Sequence, residues 1–230
     1  MMHENHHNNI EMLQSVCESL EELVEEVVFV GGSVASTYVD LAIAEEIRPT
    51  IDVDCVIEVT NLFDYNEIEK RLRKKGFKND TREDAPVCRY ISPLGVTVDV
   101  MPNDESLLGF SNSWYYSGIK NKVEYTLPNG KDIYTFDLGH FLASKVEAFH
   151  GRGSDDPRFS HDLEDVVLVL DGTEDVLDKL NSADSEVLKF LKQTAKDFLK
   201  NFDIQEAIIG HLSHSAGKVD AINKIFESLK

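Results

Sequence analysis

Positive charge is what this chain of 230 residues has little of. Its 23 Lys and Arg stand against 42 Asp and Glu, which leaves a formal charge of −19. Non-specific nucleic-acid binding depends on neutralising phosphates, so a surface this acidic opposes it except at a local basic patch. Cysteine is also scarce. Cys17, Cys55 and Cys88 are odd in number and far apart, which fits neither a disulfide framework nor a zinc knuckle and reads as reduced thiols in a cytoplasmic protein. No apolar run in the sequence reaches the ~18 residues of a membrane span, so no membrane partner is expected. Residues 1–12 are polar and rich in histidine rather than an n-region followed by an apolar stretch, so no secretory leader is expected. There is no P-loop and no Gly-x-Ser-x-Gly turn. His140, His150, His211 and His214 have no matched partner spacing. The remaining composition, 42% hydrophobic and 28% charged, is that of an ordinary globular chain long enough to bury a core without staples.

Hydrophobic periodicity divides the chain in two. Met12, Leu13, Val16, Leu20, Leu23 and Val24 recur at helical spacing from Ile10 onward. Val27–Val30 reads as a strand ending at Gly31-Gly32, with Ser33 placed to cap a helix from Val34 to Ala44. Ile51–Val59 reads as a second strand, in which Ile51, Val53, Cys55 and Ile57 alternate with Asp52, Asp54, Val56 and Glu58. A basic helix is expected over Asn66–Lys75, and strands over Arg89–Ile91 and Val96–Met101. A hairpin is expected around Pro128-Asn129-Gly130-Lys131. Beyond Asp137 only helical patterns remain: 138–149, 161–170, 185–201, 204–212 and 219–229, with Asp203 and Glu206 spaced as a capping box. The expected organisation is a flexible tail (1–9), an α/β core with a small mixed sheet (10–135) and a helical region (136–230).

Asp52 and Asp54 lie two apart on a strand, so their side chains share a face about 6–7 Å apart. Paired carboxylates repel each other, which suits a hard divalent cation better than it suits stability, although the same pattern also ends many strands on a wet face. Asp99, on the strand over Val96–Met101, shares a face with Thr97 and supplies a third carboxylate. Three carboxylates on neighbouring strands can hold two Mg²⁺ ions, with Mn²⁺ as an alternative, for phosphoryl or nucleotidyl transfer. Twenty residues earlier, Gly31, Gly32 and Ser33 occupy a strand-to-helix turn that admits a phosphate close to the backbone.

The succession of apolar strand, Gly-Gly-Ser, Asp52-x-Asp54 and a later strand aspartate resembles the nucleotidyltransferase fold of the DNA polymerase β superfamily. Arg48-x-Thr50-x-Asp52-x-Asp54 is similar to the branch of AbiEii-type toxin nucleotidyltransferases. So are Lys145-Val146-Glu147-Ala148, Arg152-Gly153 and Asp162-x-x-Asp165. The resemblance covers residues 25–172. It implies that an acceptor hydroxyl attacks the α-phosphate of an NTP and pyrophosphate leaves. Asp52, Asp54 and Asp99 would hold the metals, with Asp99 helping to deprotonate the acceptor. Gly31, Gly32, Ser33, Arg48, Thr50, Lys145 and Arg152 would contact the nucleotide, and Asp162 and Asp165 would orient Lys145 and Arg152. It also suggests tRNA as acceptor and an antitoxin protein as partner.

Read physically, Lys145 equally snorkels from an amphipathic helix, and Asp162 and Asp165 equally suit a solvated helix start. The basic cluster Lys70, Arg71, Arg73, Lys74, Lys75 and Lys78 is a solvated helix face or the one strip that meets RNA phosphates. Trp114-Tyr115-Tyr116 reads as a loop, for core packing or for stacking. Two other functions compete with a toxin-like transferase: a non-catalytic nucleotide-binding or antitoxin-partner module, and an enzyme that nucleotidylates a small molecule or a protein.

Overall fold

The computed structural model describes residues 3–40, 44, 46–153, 156–212 and 215–230. His214 and residues 41–43 of the expected Val34–Ala44 helix lie outside them. The chain forms an α/β structure of two compact units. The first is Met1–Val34 with Arg48–Phe136; the second is Ala35–Ile47 with Asp137–Lys230. The segment 35–47, read from sequence as part of the α/β core, therefore belongs to the helical unit. Tyr38 and Asp40 hold it there: the Tyr38 carbonyl accepts from the Thr173 hydroxyl at 3.0 Å, and the Asp40 N–H donates to the Gly172 carbonyl at 3.0 Å. Among the described residues no helix is long and apolar enough to cross a membrane.

The first unit carries a seven-stranded mixed sheet. Its strands are β1 (Val27–Val30), β2 (Asp52–Ile57), β3 (Lys78–Asn79), β4 (Arg89–Ile91), β5 (Thr97–Pro102), β6 (Lys122–Thr126) and β7 (Asp132–Phe136), in the order β3-β4-β5-β2-β1-β7-β6. All four residues of the central β1 are buried, as a strand covered on both faces requires. β2 runs antiparallel to β1 and parallel to β5. A parallel pair needs a long crossover, and helix α2 (Leu62–Lys74) with β3 and β4 supplies it. The Asn61 side chain accepts from the Asp64 N–H and starts α2 four residues before the Asn66 expected from periodicity. Tyr65, Ile68 and Leu72 form its buried face. Ile51 stands outside β2 at 85% exposure and Val56 is buried with its neighbours, so the expected alternation holds only from Asp52 to Cys55.

Helix α1 (His3–Leu20) begins well before Ile10, so residues 3–9 are helical rather than a tail. Asn9 shows why: its buried amide donates to the Arg48 carbonyl and accepts from the Thr50 N–H, both at 3.0 Å. Two short helices, α3 (Glu105–Leu108) and α4 (Tyr115–Lys120), follow β5. Trp114-Tyr115-Tyr116, read as a loop, thus leads into α4, and the Tyr115 ring lies 6.1 Å from that of Phe136.

The second unit is built around α5 (Leu138–Ala148) and α6 (His161–Gly172), with α7 (Val176–Asn181), α8 (Ser185–Phe198), α9 (Phe202–His211) and α10 (Ala216–Leu229) against them. Every residue from Leu138 to Val146 is buried, so α5 is the central helix of this unit. In α8, Val187, Leu191, Thr194, Ala195 and Phe198 make one buried stripe. The cap of α9 is Asn201, which accepts from the Ile204 N–H at 3.2 Å, and not the Asp203–Glu206 box expected from spacing.

One glycine positions everything described next. Gly31, at the end of β1, has φ +75°, and a Cβ built there would fall 2.0 Å from Asp54 Oδ2. Left-handed backbone alone costs a non-glycine residue about 1–2 kcal/mol. With the clash added, Gly31→Ala is expected to lower unfolding free energy by roughly 2 kcal/mol or more, read as a fall in melting temperature. An unchanged melting temperature would mean that Asp54 moves aside without cost.

Candidate functional site

In-register partners in a sheet project to the same side. Asp54 on β2 is the partner of Asp99 on β5, and Asp52, two residues earlier, is the partner of Thr97. The three carboxylates therefore share one face of two strands that lie about 4.8 Å apart. Asp99 is nearly enclosed, at 7% exposure. What allows this crowding is Arg89, the partner of Asp99 on β4. Its Nε and Nη2 donate to the two oxygens of Asp99, both at 2.7 Å, and Nη2 also donates to Asp52 Oδ2 at 3.0 Å. These hydrogen bonds to Asp99 outweigh partial burial and, with the charges of Asp99, Asp52 and Asp54, hold the guanidinium even more firmly protonated than usual. The same negative field acts on the thiols. Burial first, then Asp54 and Asp99, pushes the Cys55 thiol well up. Burial and Asp99 push Cys88 up to about 12, so neither is a thiolate nucleophile at neutral pH.

Arg89 was not among the residues singled out from sequence, yet a signal existed. Two expected strands, Arg89–Ile91 and Val96–Met101, flank the short turn Ser92-Pro93-Leu94-Gly95. A hairpin across that turn brings Arg89 beside the second strand, and the observed register, one residue beyond the Ile91–Val96 pairing that a four-residue turn would set, places it opposite Asp99.

The Gly-Gly-Ser turn differs from expectation. A 3-10 helix, Gly32–Thr37, follows β1, so no long α-helix puts its dipole behind the turn. Ser33 is 1% exposed, and its hydroxyl donates to the Val30 carbonyl at 3.4 Å, closing the turn upon itself. Arg48 and Thr50 are held by Asn9 through their backbone, and the Thr50 hydroxyl donates to the Asp52 carbonyl at 3.1 Å. Thr50 thereby fixes how the chain enters β2.

Lys145, Arg152, Asp162 and Asp165 form a second cluster, wholly within the helical unit. Lys145, 5% exposed, pairs with Asp165 Oδ2 at 2.6 Å and with Asp162 Oδ1 at 3.3 Å. Arg152 forks onto Asp162 at 2.9 and 3.1 Å from a π-helical turn, Phe149–Gly153, that continues α5. That turn, not a continuous α-helix, carries Arg152 to the start of α6. The aspartates thus bind the two cations, the first of the two arrangements that the sequence left open. Burial pushes the Asp162 carboxyl up, but the Arg152 fork and the charges of Lys145 and Arg152 hold it below the usual carboxylate range.

The basic strip is neutralised in place. Arg71 forks onto Glu26, Lys75 reaches Glu21 and Glu22 at 2.8 and 2.7 Å, Arg73 bonds Asn79 and Glu69, and Lys70 bonds Glu67. Of the strip only Lys74 and Lys78 carry no ion pair among the described residues.

Oxygen-only donors suit a hard divalent cation. In the arrangement present, however, Arg89 takes both oxygens of Asp99 and one of Asp52, and among the described residues no group of three or more His, Cys, Asp or Glu is disposed to hold a metal. No protein-family model matches the chain, and no curated protein is significantly similar to it.

The depressed Asp162 carboxyl sets a pH dependence. Its folded pKa lies below the ordinary aspartate value of 3.8, so the unfolded chain takes up the proton first. The pair's contribution is present above pH 3.8 and is lost as pH falls through the lower, folded value. Asp162→Asn is therefore expected to melt below the wild type at neutral pH, with the gap closing as the solution is acidified below that value. A gap independent of pH in thermal unfolding would assign the loss to packing.

Proposed function

We propose that the first unit carries a nucleotidyl-transfer site, at which an acceptor oxygen attacks the α-phosphate of an NTP and pyrophosphate leaves. The observation that supports this is the register Asp54–Asp99, with Asp52 on the same face and the Gly31 backbone against Asp54. Crowding three carboxylates costs stability, and phosphoryl chemistry is the use that such crowding serves. Asp99, the most enclosed, would accept the acceptor's proton. Gly31 and Gly32 would offer backbone N–H groups to phosphate, since the Ser33 hydroxyl is already engaged with Val30. Asp52, Asp54 and Asp99 would hold Mg²⁺ or Mn²⁺, which supplies positive charge to the phosphates. Arg48, through its charge, would assist.

Lys145 and Arg152 keep the nucleotide role implied by the resemblance as a separate proposal. Arg152, with its side chain 74% exposed, is the better phosphate donor of the two, since Lys145 is enclosed between Asp162 and Asp165. tRNA as acceptor, an antitoxin partner and a toxin-like role rest on the resemblance alone. The ion-paired strip of α2 weakens the case for RNA and leaves small molecules and proteins as the better acceptors. A second reading, a nucleotide-binding module without catalysis, is favoured by the Arg89 fork, which satisfies the carboxylates that catalysis would use.

Asp54→Asn is expected to abolish label transfer from an NTP, by ~100-fold or more, while leaving thermal stability in chelator unchanged or raised, because one of three like charges is gone. The assay incubates the purified protein with each labelled NTP, Mg²⁺ and a cell extract. Transfer at the wild-type rate would remove the reading. A fall of several degrees in the melting temperature would make Asp54 a structural residue.

A further inference from the structure

We propose that Arg89 is a built-in counter-cation that competes with divalent metal for Asp99 and Asp52, so that the chain accepts metal together with a phosphate-bearing ligand rather than metal alone. The inference rests on the transfer site proposed above and adds a regulation to it. Its physical basis is the geometry already given: a guanidinium bound by two bonds to the most enclosed carboxylate and by a third to its neighbour. A divalent cation and this guanidinium require the same oxygens, and both carry the charge that makes the crowding tolerable. Arg89 already lies against both oxygens of Asp99 and one of Asp52, so a divalent cation taking those oxygens must displace it or sit beside it against the repulsion of like charges.

The position of Arg89 makes the competition deliberate in structural terms. β4 has only three residues, and it places Arg89 opposite Asp99 by backbone register rather than by a flexible loop. The Arg89 side chain is 22% exposed and that of Asp52 25%, so the fork lies at the accessible side of the face while Asp99 is closed in behind it. A guanidinium fork matches phosphate as well as carboxylate. Displaced from Asp99 by a metal, Arg89 can take as its new anionic partner a phosphate that has arrived with the metal. Metal and phosphate ligand then bind with positive coupling, and each raises the affinity for the other.

The experiment measures Mn²⁺ binding by calorimetry and by electron paramagnetic resonance. It compares wild type, Arg89→Gln and Arg89→Lys, each alone and with a non-hydrolysable NTP analogue. Arg89→Gln is expected to bind Mn²⁺ alone about ten- to a hundredfold more tightly than wild type, the range for one charge-assisted bidentate contact. The analogue should strengthen Mn²⁺ binding in wild type by a clearly larger factor than in Arg89→Gln. Mn²⁺ should also raise the melting temperature of Arg89→Gln more than that of wild type, because the metal replaces the lost cation. Arg89→Lys keeps the charge but loses the fork and should fall between the two; it carries the test if Arg89→Gln does not fold.

Equal or weaker Mn²⁺ affinity in the variants overturns the inference and leaves the transfer site standing. Absence of Mn²⁺ binding in all three proteins overturns both. Tighter binding in Arg89→Gln, with no labelled product from wild type and any NTP, upholds the competition and removes the transferase reading.

Discussion

Three carboxylates on one face of two adjacent strands repel one another, and in this chain a single guanidinium makes that face tolerable. Arg89 binds Asp99 through two bonds and Asp52 through a third. Much else follows from that fork. Asp99 is almost fully enclosed without losing its partners. β2 and β5 lie side by side in parallel with two aspartates in register. Remove the cation and an enclosed carboxylate is left unpaired, which in low dielectric is among the most costly single changes a fold can suffer.

The helical unit solves a comparable problem with the signs exchanged. There a lysine is enclosed, and two aspartates one turn apart on α6 surround it. The i, i+3 spacing puts both on the same side of the helix, and the π-helical turn after α5 adds Arg152 to the outer oxygens of Asp162. In both units the buried charge is matched by side chains whose spacing is fixed by secondary structure, so its geometry does not depend on loops.

Much of this was legible from sequence where a local rule governs. Alternation or a short apolar run gave four of the strands, β1, β2, β4 and β5, glycine and proline gave the hairpin, and apolar spacing gave the long helices, because each depends on residues within one or two turns of each other. Starts and ends were displaced where a side chain distant in sequence intervenes. Asn9 reaches Arg48 and Thr50 and draws the first helix forward, a bond that no window of ten residues contains. Spacing put Asp162 and Asp165 on one helix face but left open whether they meet Lys145 or solvent, and the two-residue β3 and the short helices α3, α4 and α7 are too brief to carry a period. Arg89 escaped for another reason. A charged residue on a short strand has no periodic signature, and its meaning lies in the register across a turn, which a reading along the chain does not compare.

The loan of residues 35–47 to the helical unit has a consequence for how the molecule is made. The Tyr38–Thr173 bond joins positions 135 apart, so during synthesis this early segment emerges long before the helix that receives it. Until the end of α6 has left the ribosome, Tyr38 and Asp40 lack the Thr173 hydroxyl and the Gly172 carbonyl that they bond in the finished protein. The neighbouring strands β1 and β2 are thus joined through a stretch of chain, 35–47, that belongs to the other unit. For the same reason the helical unit is not a cassette that recombination could append or exchange by a single crossover, since one of its parts is encoded inside the gene segment for the other.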